Sequence, residues 1–230
     1  MLQKTRGIAI NYIKYRDTSI ISRIYTEDFG LQSYIVNGVR SAKSKGKMAL
    51  YQPLTLLDLV IYHKDGAQLN RISEIKCFYP YQHIPFEIRK TTIGIFLGEV
   101  LSKIVRENEH DHAGQFDFVA KSLKEFDTLS VNFESFHLQF LVKFTQYLGF
   151  DLVNTEDLYQ QVYHLTKSDV LSKEVLAFIE FLYHAPYNHE MKATLEIKRE
   201  ALKNVISFYD HHLGTLGSLK SVEVLRQILH

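Results

Sequence analysis

The sequence predicts an α+β protein, with a small five-stranded barrel over residues 1–80 and an all-helical domain over residues 81–230. Three observations carry that prediction. Up to residue 80 the chain consists of short β-branched and aromatic runs separated by turn residues. Beyond Pro80 and Pro85 the apolar spacing lengthens to that of helices. The charge divides at the same place: residues 1–80 hold 12 Lys/Arg against 6 Asp/Glu, a net of +6, and residues 81–230 hold 15 against 20, a net of −5. The overall charge of +1 hides this split, which gives the two halves different work and assigns any polyanion contact to the first.

Residues 6–15 (RGIAINYIKY) alternate, with Ile8, Ile10 and Tyr12 expected on one face. The turn at Tyr15-Arg16-Asp17-Thr18 leads to a second strand, residues 19–26. Glu27-Asp28-Phe29-Gly30 turns the chain again, with glycine at the position that tolerates positive φ, and residues 31–37 form the third strand. A long excursion follows, breaking at Asn37-Gly38 and running through Arg40, Lys43, Lys45 and Lys47 with no acid among them. Residues 54–62 (LTLLDLVIY) are apolar almost throughout, as in a strand buried on both sides or closed into a barrel. Asp65-Gly66 marks the next turn, and residues 69–79 make a fifth strand. Five strands with short early turns and one excursion between strands three and four fit a barrel of the OB type. An SH3-like barrel shares the strand count, and pattern alone leaves both open.

Helices are expected over residues 86–108, 115–127, 132–148, 172–184 and 196–213, and in a last helix opening at Ser218. Gly94 and Gly98, one turn apart, allow a close approach by another helix or by the barrel. Gly149 and Gly214 stand where helices stop. Phe133, Phe136, Phe140 and Phe144 at helical spacing are core residues, and His137 among them is a core histidine.

Motifs for bond-breaking chemistry are missing. There is no phosphate-binding G-x-x-x-x-G-K-[ST], no G-x-G-x-x-G and no G-x-S-x-G. His189-Glu190 starts like a metalloprotease helix, but Ala193 stands where the second histidine belongs. The pairs His110/His112 and His211/His212 lie beside helix ends and point in different directions. Cys77 is the only cysteine, so neither an intramolecular disulfide nor a thiolate zinc cage is possible. No catalytic residue, metal or cofactor is therefore expected. Residues 1–10 lack a signal-peptide core, and the apolar run at 93–105 is broken by Glu99 and Lys103, so the expected location is the cytoplasm, with no membrane partner.

The surviving signal is electrostatic. Around the basic excursion stand Lys4 and Arg6 before strand one, Arg16 in the first turn, Arg23 in strand two, and Lys64 and Arg71 flanking the fourth turn; the first turn and the last hairpin loop of an OB barrel border its oligonucleotide groove. Tyr12, Tyr15, Tyr34, Tyr51 and Tyr62 supply rings on which unstacked bases can lie, some of them necessarily inside the barrel. The expected nucleic-acid-binding residues are Arg6, Arg16, Arg23, Arg40, Lys43, Lys45, Lys47, Lys64, Arg71 and Tyr34. Single strands are favoured.

Thr26-Glu27 with Gly30, Val36-Asn37-Gly38-Val39-Arg40 with Ser41 and Ser44, and Tyr51-Gln52-Pro53-Leu54 together resemble the N-terminal barrel of the bacterial DNA repair family RecO. Residues 136–150, ending Leu148-Gly149-Phe150, and the tail Leu213-Gly214 with Gly217-Ser218-Leu219 are similar to the same family in the same order. The resemblance implies an OB-fold with a helical domain that binds single- and double-stranded DNA without sequence preference. It also implies strand annealing, help in loading recombinase onto strands coated with single-strand-binding protein, and a nucleoid-associated cytoplasmic location. RecR and the acidic, aromatic-ended tail of single-strand-binding protein are the implied partners. Many members carry a four-cysteine zinc lobe after the leucine-glycine step; residues 151–168 here contain no cysteine, and His164 alone cannot hold a tetrahedral zinc. Two other readings use the same features: an RNA-binding barrel of translation or ribosome assembly, and an adaptor whose acidic helical half docks partners.

Overall fold

The computed structural model describes residues 1–41, 44, 46–64, 66–105, 112–150, 172–189, 191–214, 216 and 218–229. Lys43, Lys45, His110 and residues 151–168 lie outside the described residues.

The strands are β1 (Leu2–Tyr15), β2 (Ser19–Thr26), β3 (Gly30–Val36), β4 (Leu56–Tyr62) and β5 (Asn70–Tyr79), close to their expected bounds. They close a barrel in the order β1-β2-β3-β5-β4. All neighbours are antiparallel except β3 and β5, which run parallel over Tyr34↔Asn70 and Ile35↔Arg71. This closed five-stranded barrel is the OB-fold. Its interior holds Ala9, Ile24, Tyr34, Leu57, Leu59 and Ile61.

One expectation fails inside β1. A bulge between Ala9 and Asn11 resets the alternation, so Ile8, Ile10 and Tyr12 do not share a face. Ala9 points inward, while Asn11 and Ile13 fall in register with the outward Arg23 and Ile21. Tyr12 turns inward instead and packs on Ile20, Val39 and Tyr51.

Six helices follow among the described residues: α1 (Ile88–Ile104), α2 (His112–Thr128), α3 (Phe136–Phe144), α4 (Lys173–His184), α5 (Leu195–Leu213) and α6 (Ser221–Leu229). A 3-10 turn, Thr145–Tyr147, extends α3. Ser172 caps α4 by accepting from the Val175 N–H, and Thr194 caps α5 by accepting from Ile197. Gly214, at φ 62°, ends α5 with its N–H on the Asp210 carbonyl. No helix among the described residues is long and apolar enough to cross a membrane.

The chain forms two compact units, residues 1–82 with 98–124, and residues 83–97 with 125–230. In the first, α2 covers one end of the barrel's outer wall. Tyr25 lies 5.9 Å from the Phe116 ring, centroid to centroid, and its hydroxyl donates to Gln115. Gly98 admits the chain before β4 as closely as expected: a Cβ there would touch Pro53 at 3.4 Å.

The second unit is built on aromatic rings. Phe126 and Phe136 stack 4.3 Å apart, and Tyr187 lies 4.5 Å from Phe136. Within this apolar mass sits Lys90, 1% exposed. Its ammonium donates to the carbonyls of Asp127 and Leu129, at 2.8 and 2.5 Å, and lies 5.2 Å from the Phe133 ring centre. The Asp127 carboxylate accepts from the backbone N–H groups of His83 and Ile84. Burial lowers the Lys90 pKa against the opposing pull of Glu87 and Asp127. Lys143 does similar work at the end of α4, donating to the Tyr183 carbonyl. Each lysine supplies donors to carbonyls that a helix end leaves without partners.

Replacing Lys90 by Ala strands these carbonyls and opens space in the ring cluster. The unfolding free energy in a urea titration should fall by about 3 kcal/mol. Lys90→Met keeps the volume and should lose clearly less; equal losses would show that filling, not the ammonium, is irrelevant to this site.

Candidate nucleic-acid interface and a groove in the helical unit

Register divides the barrel's exterior into two walls of opposite character. On the β1–β4–β5 wall, Arg6, Asp58 and Lys76 stand side by side, and Lys76 pairs with Asp58 at 3.3 Å. Beside them run Lys4, Val60 and Glu74. Lys4, Arg6 and Lys76 each have an acid in their own cross-strand row, so their field is largely cancelled, whereas Arg71, in the row Leu2–Tyr62–Arg71, has none.

The β1–β2–β3 wall carries a different set. Arg23 occupies the outward row Asn11–Arg23–Ser33. Arg71, exposed at the start of β5, joins the row of Ile35 through the parallel pair. Arg16 lies in the β1–β2 turn, its guanidinium over the Tyr15 ring at 5.2 Å. That turn is tied to the loop after β3: the Arg40 N–H donates to the Thr18 carbonyl, the Arg40 side chain to the Arg16 carbonyl, and Ser19 to the Asn37 side chain. Gly38 (φ 68°) and Gly46 (φ 86°) give the excursion its two left-handed bends. Lys47 is exposed at the start of the 3-10 helix Lys47–Tyr51, and Lys64 is exposed in the β4–β5 turn. None of Arg16, Arg23, Arg40, Lys47, Lys64 and Arg71 is ion-paired with a described residue.

Two of the predicted interface residues stand elsewhere. Tyr34 is wholly buried in the barrel, so its ring offers no face to a base. Its position follows from the inward parity of Gln32 and Val36, which flank it on β3. Burial raises its pKa, and its hydroxyl has no hydrogen-bond partner among the described residues. Arg6 is held by two carboxylates: its Nε donates to Glu27 at 2.7 Å, and its Nη2 donates both to Glu27 and, at 2.7 Å, to Asp117 of α2. The hydrogen bond it donates to Glu27 is the main reason its pKa is raised. Arg6 fastens α2 to the barrel with its charge already answered. Of the other tyrosines, Tyr51 is interior, its hydroxyl pushed up to about 12 by burial, and Tyr62 is 52% exposed.

The helical unit contains a groove of about 850 Å³ that residue patterns did not reveal. Its floor includes Leu138, Leu202, Ile206 and Leu225, and the exposed Val131 stands at its lip. Arg89, Lys198, Arg199, Lys203 and Arg226 also line it, against a single acid, Glu134, which pairs with Arg89 at 3.1 Å. The signal in sequence was only Lys198, Arg199 and Lys203 on one helix; α3, α5 and α6 had to be assembled before it became a site. Among the described residues no group of three His, Cys, Asp or Glu is placed to hold a metal ion.

An OB barrel carrying cations that pair with no described acid, followed by a helical unit, is the arrangement these residues build. The family profile "Recombination protein O N terminal" matches residues 1–81, and "Recombination protein O C terminal" matches residues 85–157. The chain is 31% identical to the DNA repair protein RecO of Bacteroides fragilis, with 99% of each chain covered. It is 32% identical to that of Flavobacterium psychrophilum and 31% identical to that of Flavobacterium johnsoniae, with 98% of each chain covered in both cases. The chain belongs to the RecO family of DNA repair and recombination proteins, as a member without the zinc-binding cysteines.

Because the Tyr34 hydroxyl is buried without a partner among the described residues, Tyr34→Phe should leave stability unchanged or raise it by about 1 kcal/mol. Nucleic-acid affinity should not change. A loss of affinity in a fluorescence-anisotropy titration would return Tyr34 to the interface.

Proposed function

We propose that this protein binds single- and double-stranded DNA without sequence preference, anneals complementary strands, and helps load recombinase onto strands coated with single-strand-binding protein. The observation that carries the reading is the contrast between the barrel's walls. Arg16, Arg23, Arg40, Lys47 and Arg71, none paired with a described acid, stand on or beside β1–β2–β3, while Lys4, Arg6 and Lys76 on β1–β4–β5 are matched by acids. Such a surface neutralises phosphates and leaves base edges free to pair, which annealing requires and which needs no reactive group. The protein acts as a mediator, not an enzyme. On this reading residues 1–80 hold DNA, residues 81–230 dock partners, and the protein works on the chromosome in the cytoplasm.

The groove of the helical unit suits the acidic, aromatic-ended tail of single-strand-binding protein, with apolar residues for the ring and Lys198, Arg199 and Lys203 for the carboxylates. RecR is the second proposed partner, through a surface that these residues do not define.

Changing Arg16, Arg40 and Arg71 together to Gln should weaken binding to all sequences alike. It should also make the log–log salt slope on single strands shallower by about 2 units, at roughly 0.7 per phosphate contact. An unchanged slope would remove these residues from the phosphate path. Competition by RNA of the same length tests the substrate: RNA displacing DNA at equal concentration would favour the translation-type reading. For the groove, Lys198→Glu with Lys203→Glu should weaken binding of the tail peptide at least tenfold, measured by calorimetry, with DNA affinity of the barrel retained.

A further inference from the structure

The outward rows of the β1–β2–β3 wall form a graded series. Nearest α2 lies Tyr25, covered by Phe116. Next comes the row Asn11–Arg23–Ser33, and beyond it the row Ile13–Ile21–Ile35, continued by Arg71. After that come Tyr15 and Ser19, beneath the turn that carries Arg16. The isoleucine row is the anomaly. Ile13 is 62% exposed, and Ile21 and Ile35 are only half-buried. Nothing in the barrel's packing requires them, since its interior is filled from the opposite parity. Isolated surface isoleucines are ordinary, but three in one cross-strand row form a continuous strip about 10 Å long, at a strand spacing of about 4.8 Å.

We propose that the Ile13–Ile21–Ile35 strip receives the faces of unpaired bases, and so distinguishes single-stranded from double-stranded nucleic acid. The inference rests on the nucleic-acid reading above and adds the part that recognises strand form. Its occupant follows from the charges around it. Arg23 flanks the strip on one side, Arg16 and Arg40 stand beyond it on the other, and Arg71 follows Ile35 in the row, ahead of the exposed Tyr62. A ligand that lays apolar faces on the isoleucines while meeting cations along both sides is a polyanion with exposed rings. A single strand has that form; a duplex hides its base faces in the stack and meets only the cations. Three partly exposed isoleucines are also far short of the roughly 800 Å² per partner that a stable protein dimer buries. Aliphatic contact lacks the geometric demand of ring stacking, so the strip is indifferent to base identity.

The test uses the full chain and two ligands of equal charge, a short thymidine oligonucleotide and an abasic strand of the same length. The wild-type protein should bind the base-bearing strand about tenfold more tightly, the lower range of a base-stacking contribution. Ile13→Ser, at the most exposed position, and the triple variant Ile13→Ser/Ile21→Ser/Ile35→Ser should shrink that ratio towards one. Duplex affinity and the salt slope should stay as in the wild type. Equal wild-type affinity for the two strands overturns the proposal without any variant, whatever the folding of the triple variant. So does a ratio that survives in Ile13→Ser and in a triple variant whose thermal melt shows it folded. A wild-type dimer that the triple variant dissociates in sedimentation would assign the strip to a second copy and overturn it too. Absence of binding to either strand would fail the underlying nucleic-acid reading, whereas tight binding with equal affinities fails this inference alone.

Discussion

Closure of the barrel through two residue pairs, Tyr34↔Asn70 and Ile35↔Arg71, is the constraint on which the rest of the first unit depends. Without it β5 would be an edge strand, and inside and outside would not be defined for β3. With it, Tyr34 is committed to the interior and Ile35 to the exterior, and Arg71 arrives beside a strand from which it is more than thirty residues distant in sequence. Asn70 reinforces the junction by donating to Gln32. The β4–β5 turn is thereby held next to β3, bringing the cations of two remote segments to one wall.

The two walls of the barrel show how net charge misleads. The first 80 residues carry +6, yet the cations are not equivalent. Arg6 and Lys76 serve the fold, opposite Glu27, Asp117 and Asp58, and their fields end within hydrogen-bonding distance. Arg16 and Arg40 pair with no described acid; their local contacts are to a ring and a carbonyl, which orient a guanidinium without cancelling its charge. A polyanion responds to the residual field of such cations, not to the net charge.

Much of this was legible in the chain. The five strands follow from alternation and turn chemistry, and the helical half from its apolar stripes and glycine stops. What alternation could not supply was phase. A single extra residue at the β1 bulge moves Tyr12 inward and Ile13 outward, and no local feature of RGIAINYIKY announces it. Tyr34 was misplaced for the same reason: a tyrosine on a strand fits either face, and only the register across β2 and β5 decides. The isoleucine row and the helical groove escaped notice because each is assembled from separate segments, the first by cross-strand pairing and the second by helix packing. Lys43 and Lys45 lie outside the described residues, so the interface rests on the cations around them.

Both surfaces join cations to apolar side chains, but their shapes select different ligands. The barrel wall is the convex outside of a closed sheet, open at both sides of its apolar strip, so a polymer can enter and leave it anywhere along its length. The groove is concave, with Leu202 and Leu225 at its floor and cations around it, and it suits a segment that ends there. On the proposed reading this separation has a mechanistic use. A protein that anneals strands must hold them weakly enough to release the paired product, and aliphatic contacts with unpaired bases vanish as pairing restacks those bases. Pairing itself then removes one component of the grip and leaves the salt-screened phosphate contacts. The groove, occupied by a partner's tail, is untouched by that change and can keep the protein at its site while the strands turn over.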